Sequence, residues 1–447
     1  MEEPIISVSG LRGIIGHSLS PDLASRYARA FAATLQAGPI VLARDGRATG
    51  PMLVDAIRAG LLAEGRDCIE AGVAATPTLG VLVRAHSAAG GVQVSASHNP
   101  PAYNGLKAFG ADGRVIPAVA GQKVIEKYHE SRDHWVEHDR IGMSRSLEDS
   151  ISAHFSKVAA IVDVPAIRRR KYSVVLDSNH GAGSVLGEFL LRELGCNVVV
   201  LGGEPHGHFA HPPEPTAENL VGVAATIRDA QADIGFCQDP DADRLAIIDG
   251  KGTYLGEEYT VAMCVDHVLR ATPGPIVTNC STSRMSEDLA NKYGVPFFRA
   301  PVGEANVVDA MLANGAVFGG EGNGGPIEPR VGLVRDSFVG MALVLDAMAA
   351  RDKSVAELAA ELPRYEIHKT KVSVPKNKIA AAIDAVECAF PEASADRMDG
   401  LRLDWPGKWL QVRASNTEPI CRAIAEAESL DEAQRLCDAA NDILARV

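Results

Sequence analysis

The sequence predicts an α/β fold, with three similar mixed α/β domains and a smaller C-terminal α+β domain. Over the first two-thirds of the chain, short apolar runs alternate with longer helical patterns. This strand–helix–strand recurrence is typical of parallel α/β layers. The alternation then stops, and roughly the last 80 residues carry separate strand patterns with helices between and after them. A length of 447 residues fits three domains of roughly 150 residues, or four smaller ones.

The alternation begins again twice, and these restarts define the predicted units. The first pass predicts strands at 39–44 and 92–95 around a helix at 52–64. The second follows a charged stretch at 131–140 and predicts strands at 172–177 and 197–201 around a helix at 184–194. The third predicts strands at 275–279 and 316–318 around a helix at 286–293. The final part predicts strands at 369–374, 401–404 and 409–413 and a closing helix from about 431. We therefore predict domains at 1–150, 151–250, 251–365 and 366–447.

Composition narrows the class of protein. The chain has 57 acidic and 44 basic residues, a formal net charge of −13, which argues against general binding to nucleic acid or anionic membranes. Hydrophobic residues make up 46%, enough for a core of ordinary size. The eight cysteines form no CxxC motif, and neither a signal peptide nor a long apolar span is evident. These features predict a cytoplasmic protein with no membrane or nucleic-acid partner, monomeric or homodimeric.

A run of three aspartates, Asp239-Pro240-Asp241-Ala242-Asp243, is the most informative motif. Pro240 disfavours a helix, and in an extended chain alternate side chains share one face, so the three carboxylates converge. All-oxygen ligation suits Mg²⁺ or Ca²⁺. A solvated acidic turn is the alternative. The apolar runs on both sides place the loop at the end of buried strands, where ligand sites of α/β folds lie, and so favour a metal.

A second segment, Ser95-Ala96-Ser97-His98-Asn99-Pro100-Pro101, follows an apolar strand and ends at a double proline. Ser97 is a candidate nucleophile or phosphate carrier, with His98 and Lys107 as proton or charge partners. An ordinary turn is the alternative.

Two further segments carry polar groups, one set suited to a phosphate and the other to hydroxyl groups, with ordinary tight turns as the alternative for the glycine-rich segments. In the segment 413–422, two arginines flank small polar residues, a composition that matches a phosphate cradle. A polar hairpin fits this composition equally well. The candidate residues are Arg413, Ser415, Asn416, Thr417 and Arg422. The glycine-rich segment 319–325 is expected to be a flexible loop that exposes Glu321 and Asn323, which suit sugar hydroxyls. Arg12 stands in a further glycine-rich turn, where backbone can approach an anion. Neither a Rossmann fingerprint nor a P-loop is present.

In chain order, the motifs SASHNP, DPDADR, GEGNGG and RASNTEP resemble the α-D-phosphohexomutase family, which interconverts sugar 6-phosphates and sugar 1-phosphates. The resemblance runs from Leu11 to Arg422 and implies four domains around a central cleft. It implies a phosphorylated Ser97 whose phosphate, with Asp239, Asp241 and Asp243, holds Mg²⁺, and a bisphosphosugar activator.

The resemblance also implies roles for the other candidates. Glu321 and Asn323 match the loop that contacts sugar hydroxyls, and the segment 413–417 matches the loop that holds the non-reacting phosphate. Arg12, Lys107 and Arg244 match positions near the reacting groups. Many relatives carry a histidine where this chain has Gly325, so the general acid/base is left open among Lys107, His98 and Arg244.

Three functions remain as hypotheses from the sequence. The first is a phosphohexomutase, for glucosamine phosphate or, alternatively, for mannose and glucose phosphates. The second is a Mg²⁺-dependent sugar-phosphate phosphatase that uses the same serine. The third is a sugar-phosphate sensor without turnover.

Overall fold

A computed structural model describes residues 4–8, 10–130, 134–414 and 420–446 of the chain. In these ranges the strands form four sheets that follow one another along the sequence. The first three are mixed sheets flanked by helices, and the fourth is antiparallel. This architecture confirms the predicted fold class.

The first sheet has the strand order β1-β2-β6-β5-β3-β4-β7 among the described residues. Strands β3 and β5 run parallel, with Arg44 opposite Val94 at their carboxyl ends. The segments that follow these two strands therefore leave the sheet side by side. The elements of this part are β1 (Ile5–Ser7), β2 (Gly10–Ile14), α1 (Pro21–Ala32), β3 (Ile40–Arg44), α2 (Gly50–Ala63), β4 (Cys68–Val73), α3 (Thr76–Ala85), β5 (Gly90–Val94), β6 (Tyr103–Gly110), α4 (Ala118–Glu130) and β7 (Ser144–Ser146).

The second sheet has the order β11-β10-β8-β9. Its elements are α5 (Ser152–Ala159), α6 (Val164–Arg170), β8 (Ser173–Asp177), α7 (Gly183–Glu193), β9 (Asn197–Leu201), α8 (Val221–Asp229), β10 (Ile234–Gln238) and β11 (Leu245–Asp249). Strands β10 and β11 pair antiparallel, and every residue in both is buried. The aspartate motif is the turn between them, so two buried strands fix both of its ends.

The third sheet has the order β13-β12-β14-β15. Its elements are α9 (Glu257–Ala271), β12 (Ile276–Asn279), α10 (Met285–Tyr293), β13 (Phe297–Ala300), α11 (Glu304–Asn314), β14 (Phe318–Glu321), β15 (Gly325–Ile327), α12 (Ser337–Arg351) and α13 (Val355–Ala360). The Asp336 carboxylate caps α12 by accepting from the backbone of Phe338 and Val339. One hydrophobic cluster joins this sheet to the second, with Phe236 and Phe318 among its members.

Strand β14 lies further along the chain than predicted, because it includes the first glycines of the glycine-rich segment. A Cβ at Gly319 would lie 2.5 Å from the sulfur of Met311 and 2.7 Å from the carbonyl oxygen of Val277. Only glycine fits between this helix and this strand, so the glycines here serve close packing of backbone.

The fourth sheet is antiparallel, in the order β16-β20-β19-β18-β17, and has its own hydrophobic core. Its elements are β16 (Glu366–Ser373), a 3₁₀ helix (Lys376–Lys378), α14 (Ile379–Ala389), β17 (Ser394–Asp396), β18 (Leu401–Trp405), β19 (Lys408–Ala414), β20 (Ile420–Ala427) and α15 (Leu430–Arg446). None of the helices within the described ranges is long and apolar enough to cross a membrane.

Candidate active site

Ser97 lies in the turn after β5 and is 3% exposed. Its backbone has φ of +51°, a left-handed conformation that is uncommon outside glycine. Its backbone N–H donates to the hydroxyl oxygen of Ser95 at 2.9 Å. Its own hydroxyl donates to Oδ2 of Asp239 at 2.8 Å and lies 3.3 Å from Nδ1 of His98. The serine from the first sheet thus meets the acidic turn of the second.

Asp239, Asp241 and Asp243 converge as predicted, but they do so in a turn with Ala242 at φ of +56° rather than along an extended chain. All three are fully buried, and one carboxylate oxygen from each lies within 4.8 Å of the others. Threonine and lysine side chains from the first domain bind Oδ2 of Asp241, at 2.5 Å from Thr76 and 2.6 Å from Lys107.

The same three residues fit a divalent cation. Among the described residues, Oδ1 of Asp241 and Oδ1 of Asp243 are buried without a hydrogen-bond partner. Buried carboxylate oxygens are costly unless a donor or a metal satisfies them. An all-oxygen set beside the Ser97 hydroxyl suits Mg²⁺, which takes few protein carboxylates and completes its shell with phosphate oxygens and water.

Three cations flank the triad, and the most distant is Arg244, whose Nε lies 3.9 Å from Oδ1 of Asp243. Lys107 on β6 contacts Asp241 and, at 2.8 Å, Asp243, while Arg335 contacts Oδ2 of Asp243 at 2.7 Å. Burial acts to raise the pKa of Asp241, but the charge and hydrogen bond of Lys107 together with the hydrogen bond from Thr76 hold that pKa well below its ordinary value. By contrast, burial and the charges of Asp241 and Asp243 raise the pKa of Asp239 well above its ordinary value. The protein's own cations therefore do not compensate all three carboxylates.

These groups border a cleft of about 900 Å³ between the domains. Eight of the candidate residues line it: Arg12, His98, Lys107, Arg244, Glu321, Asn323, Arg413 and Arg422. Ser97 and the three aspartates are buried behind this lining, in contact with the lining residues His98 and Lys107. The structure thus brings together the described candidates from all four domains.

His98 stands next to Ser97 as a neutral imidazole. Burial, followed by the positive charges of Arg244 and Arg12, lowers its pKa to about 3. It can accept a hydrogen bond at neutral pH, but it holds no proton that it could release as an acid. Lys107 has the opposite character. Burial alone lowers its pKa, but Asp241 and Asp243 outweigh burial and raise it above the ordinary value, so Lys107 stays charged.

The prediction that Glu321 is exposed on a flexible loop is wrong. It ends strand β14, is 3% exposed, and has both carboxylate oxygens bound. Oε1 accepts from the side chain of Asn279 at 2.8 Å and the backbone of Gly303 at 3.0 Å, and Oε2 accepts from Arg335 at 2.7 Å. Burial acts to raise the pKa of Glu321, but Arg335 together with the hydrogen bonds from Asn279 and Gly303 lowers it below its ordinary value, so this carboxylate is a fixed anion.

The fourth domain presents a row of cations to the cleft. Arg413 on β19 is opposite Arg422 on β20, which is opposite Lys371 on β16. Directly opposed residues on antiparallel strands share one face, and all three side chains line the cleft. The predicted polar hairpin and the phosphate cradle are thus compatible. Ser415, Asn416 and Thr417 lie outside the described residues.

Sequence reasoning missed several residues of the cleft. Arg335 forms ion pairs with Asp243, Glu321 and Glu304, yet stands in no recognisable motif. Three acids also line the cleft, and burial raises the pKa of Glu257 and of Glu304 to about 7 and that of Glu258 to about 8. Glu257 and Glu258 stand in the first turn of α9, where acidic side chains are common without any role in a site, so the sequence singles out none of these acids.

Models of the four successive phosphoglucomutase/phosphomannomutase domains match this chain, covering nearly all of it. Alpha/beta/alpha domains I, II and III match residues 5–134, 152–252 and 257–365, and the C-terminal domain matches 370–443. The chain belongs to the phosphoglucomutase/phosphomannomutase family. It is a phosphosugar mutase, an isomerase, and the resemblance that its motifs indicated is confirmed.

Individual members of the family align over almost the full length. A "Phosphoglucomutase/phosphomannomutase" of Thermococcus kodakarensis is 37% identical, with 95% of each chain covered. A "Probable phosphoglucosamine mutase" of Pyrococcus abyssi is 33% identical, with 98% of this chain and 96% of the relative covered. The crystal structure of a family protein from Burkholderia thailandensis superposes with a TM-score of 0.86 at 26% identity, over 99% of this chain and 97% of its own.

Proposed function

We propose that this phosphosugar mutase interconverts a hexose 6-phosphate and a hexose 1-phosphate, with Ser97 as the phosphoryl carrier and a bisphosphosugar as the intermediate. The observation that carries the proposal is the hydrogen bond from the Ser97 hydroxyl to Asp239 within a buried acidic triad. A row of cations on the fourth domain faces the same cleft and supplies a second anion site. A mutase must hold one phosphate while the other reacts.

Transfer begins with phosphorylated Ser97. The P–O bond to the serine oxygen breaks, a new P–O bond forms to the free hydroxyl of the sugar phosphate, and the hydroxyl proton leaves to a cleft carboxylate. Asp239, Asp241 and Asp243, with the serine phosphate, would hold Mg²⁺, which would supply positive charge to the transferring group. Lys107, Arg12 and Arg244 add cationic charge at the same end of the cleft.

The second half of the reaction requires the sugar to turn over. The bisphosphosugar presents its other phosphate to Ser97: the P–O bond to the sugar oxygen breaks, a P–O bond forms to the serine oxygen, and the sugar oxygen takes the proton from the cleft carboxylate. Arg413, Arg422 and Lys371 then hold the phosphate that has just been transferred. Ser415, Asn416 and Thr417 are proposed to complete this cradle. Glu321 and Asn323 contact the sugar hydroxyls in both orientations. Because Arg335 fixes Glu321, this carboxylate keeps its position while the sugar turns over.

For the sugar, we propose glucosamine phosphate first, with mannose and glucose phosphates as the alternative. The DPDADR and GEGNGG motifs support glucosamine, as does the name of the P. abyssi relative. The name of the T. kodakarensis relative supports the alternative. The experiment measures kcat/KM for the three hexose 1-phosphates under equal bisphosphosugar activation and Mg²⁺.

Glucosamine phosphate should have the highest kcat/KM, and a higher value for mannose or glucose phosphate would reverse the order. Release of free phosphate in step with substrate loss, without isomer, would instead indicate a phosphatase. Tight binding of all three sugars without turnover would indicate a sensor.

A further inference from the structure

We propose that Arg47 is a positioning residue that holds Ser97 in its reactive conformation. Arg47 follows strand β3 and is distant along the chain from every motif that the sequence singled out. Its side chain is 2% exposed. The inference rests on the proposed function, because it assumes that Ser97 carries the phosphoryl group.

The guanidinium of Arg47 uses every one of its N–H donors on one short segment of chain and one carboxylate. Nε donates to Oδ2 of Asp45 at 3.1 Å. The other four N–H groups donate to backbone carbonyl oxygens of the serine loop: Ser97 at 2.7 Å, Asn99 at 2.6 Å, Pro100 at 2.8 Å and Tyr103 at 2.9 Å. A planar fork with five donors can satisfy this set, and a lysine ammonium with three cannot.

These bonds form a closed ring through the backbone of Ser97. Oδ2 of Asp45 accepts from Arg47 and also from the Ser95 hydroxyl at 2.7 Å. The Ser95 oxygen in turn accepts from the N–H of Ser97, and the carbonyl of Ser97 accepts from Arg47. Both polar backbone groups of Ser97 are therefore bound, one on each side of its left-handed φ. A residue in this sparsely populated conformation persists only where its surroundings fix it.

The second domain covers the outer side of Arg47. The ring of Phe209, in the segment between β9 and α8, lies 5.1 Å from the guanidinium carbon. In the same segment, a Cβ at Gly207 would lie 2.5 Å from the Cα of Arg47 and 2.5 Å from the carbonyl oxygen of Gly46. Arg47 is thus fixed between the serine loop and the domain that carries Asp239, and it sets the distance between them.

A small error in this position is costly for phosphoryl transfer, because the reaction depends on placement of the reacting atoms. We expect Arg47→Lys, which keeps the charge and loses the fork, to lower kcat by about 10²-fold. The KM for the hexose phosphate should stay within about threefold of wild type, since Arg47 does not line the cleft. Millimolar guanidinium ion should restore part of the kcat of Arg47→Ala and should leave the kcat of wild type and of the matched control unchanged.

The matched control is Arg58→Lys, on the exposed side of α2, where Arg58 binds Glu70 and Asp55. It should leave kcat unchanged. Mg²⁺ affinity, measured by calorimetry on each full-length variant, should also stay unchanged, because the triad is intact. If Arg47→Lys fails to fold, Ser95→Ala removes one link of the ring and should lower kcat by about tenfold with KM constant.

The outcomes separate this inference from the proposed function. If wild type gains phosphate on Ser97 and converts its substrate, and Arg47→Lys and Ser95→Ala have the same kcat as wild type, the positioning role alone is overturned. Loss confined to KM would overturn it as well. Wild type that never gains phosphate on Ser97 would overturn the proposed function first.

Discussion

Ser97 and Asp239 are joined by a hydrogen bond of 2.8 Å, although 142 positions separate them in the chain. The serine lies in the turn that follows a strand of the first sheet, and the aspartate begins the turn between two buried strands of the second. The site therefore exists only where the two domains are packed together, and its properties depend on charges that both domains contribute.

Lys107 competes with a metal for the charge of the triad. Lys107→Met removes a cation that lies 2.6 Å from Asp241 and 2.8 Å from Asp243, so the triad should bind Mg²⁺ several-fold more tightly. Turnover should fall by about 10²-fold, because the same charge stabilises the transferring phosphoryl group. Calorimetry and steady-state kinetics test the two effects. Lys127→Met, on the exposed side of α4, is the control and should change neither. Weaker Mg²⁺ binding in Lys107→Met would contradict the assignment.

Arg335 connects the acidic triad to Glu321. Arg335→Met should lower the free energy of unfolding by about 3–5 kcal/mol, because it leaves buried carboxylates without their cation. Arg335→Met should also lower kcat/KM. Gly325→Ala should lower kcat/KM as well, since a Cβ there would lie 2.3 Å from Cδ of Arg335 and displace it. If both act through the same ion pairs, their losses in kcat/KM should not add in the double variant. Additive losses would show that Gly325 acts independently of Arg335.

Glu258 should make stability depend on pH. Burial raises its pKa from 4.5 to about 8, so the folded state binds one more proton than the unfolded state between those values. Its stabilising contribution is complete below pH 4.5 and is lost as the pH rises to 8. Glu258→Gln should make the fall in unfolding free energy with pH shallower, by up to about 1.4 kcal/mol per pH unit. Denaturant unfolding across this range tests it, with exposed Glu126→Gln as the control. An unchanged slope would contradict the burial of a protonated Glu258.

Glu257 is the cleft group best suited to accept the proton of the attacking hydroxyl. Within the described part of the chain its Oε1 is buried without a hydrogen-bond partner, and burial raises its pKa to about 7. A base with a pKa near the working pH is the most effective. Glu257→Gln should lower kcat and remove the rise of kcat/KM near pH 7. Glu126→Gln should retain both. A pH profile of Glu257→Gln that keeps this rise would exclude Glu257 as the base.

Local sequence patterns were sufficient to predict the four-part architecture and the acidic triad. The apolar runs around the motif Asp239–Asp243 predicted buried strands, and the spacing of the carboxylates predicted their convergence, although a turn rather than an extended chain brings them together. Both predictions depend only on residues that are close in sequence. The cation row was predicted in part, since Arg413 and Arg422 stand near each other along the chain.

The remaining features depend on distant contacts that no local pattern contains. Arg335 precedes a buried helix, and nothing in its neighbourhood indicates that it meets Asp243. Arg47 resembles any arginine in a polar turn until the serine loop is placed around it. Glu321 was expected to be exposed, because glycines on both sides are typical of a loop. In the structure those glycines allow close packing, and the carboxylate is fixed by Arg335.

Phosphate on Ser97 tests the central claim most directly. Peptide mass spectrometry of the full-length enzyme, after incubation with glucose 1,6-bisphosphate and Mg²⁺, should find one phosphoryl group on the peptide that carries Ser97. Addition of excess hexose 6-phosphate should remove that group while bisphosphosugar appears in equal amount. Ser97→Ala should gain no phosphate and should lose turnover. A wild-type enzyme that isomerises the sugar with Ser97 unmodified throughout, or a Ser97→Ala variant that retains full turnover, would contradict the account.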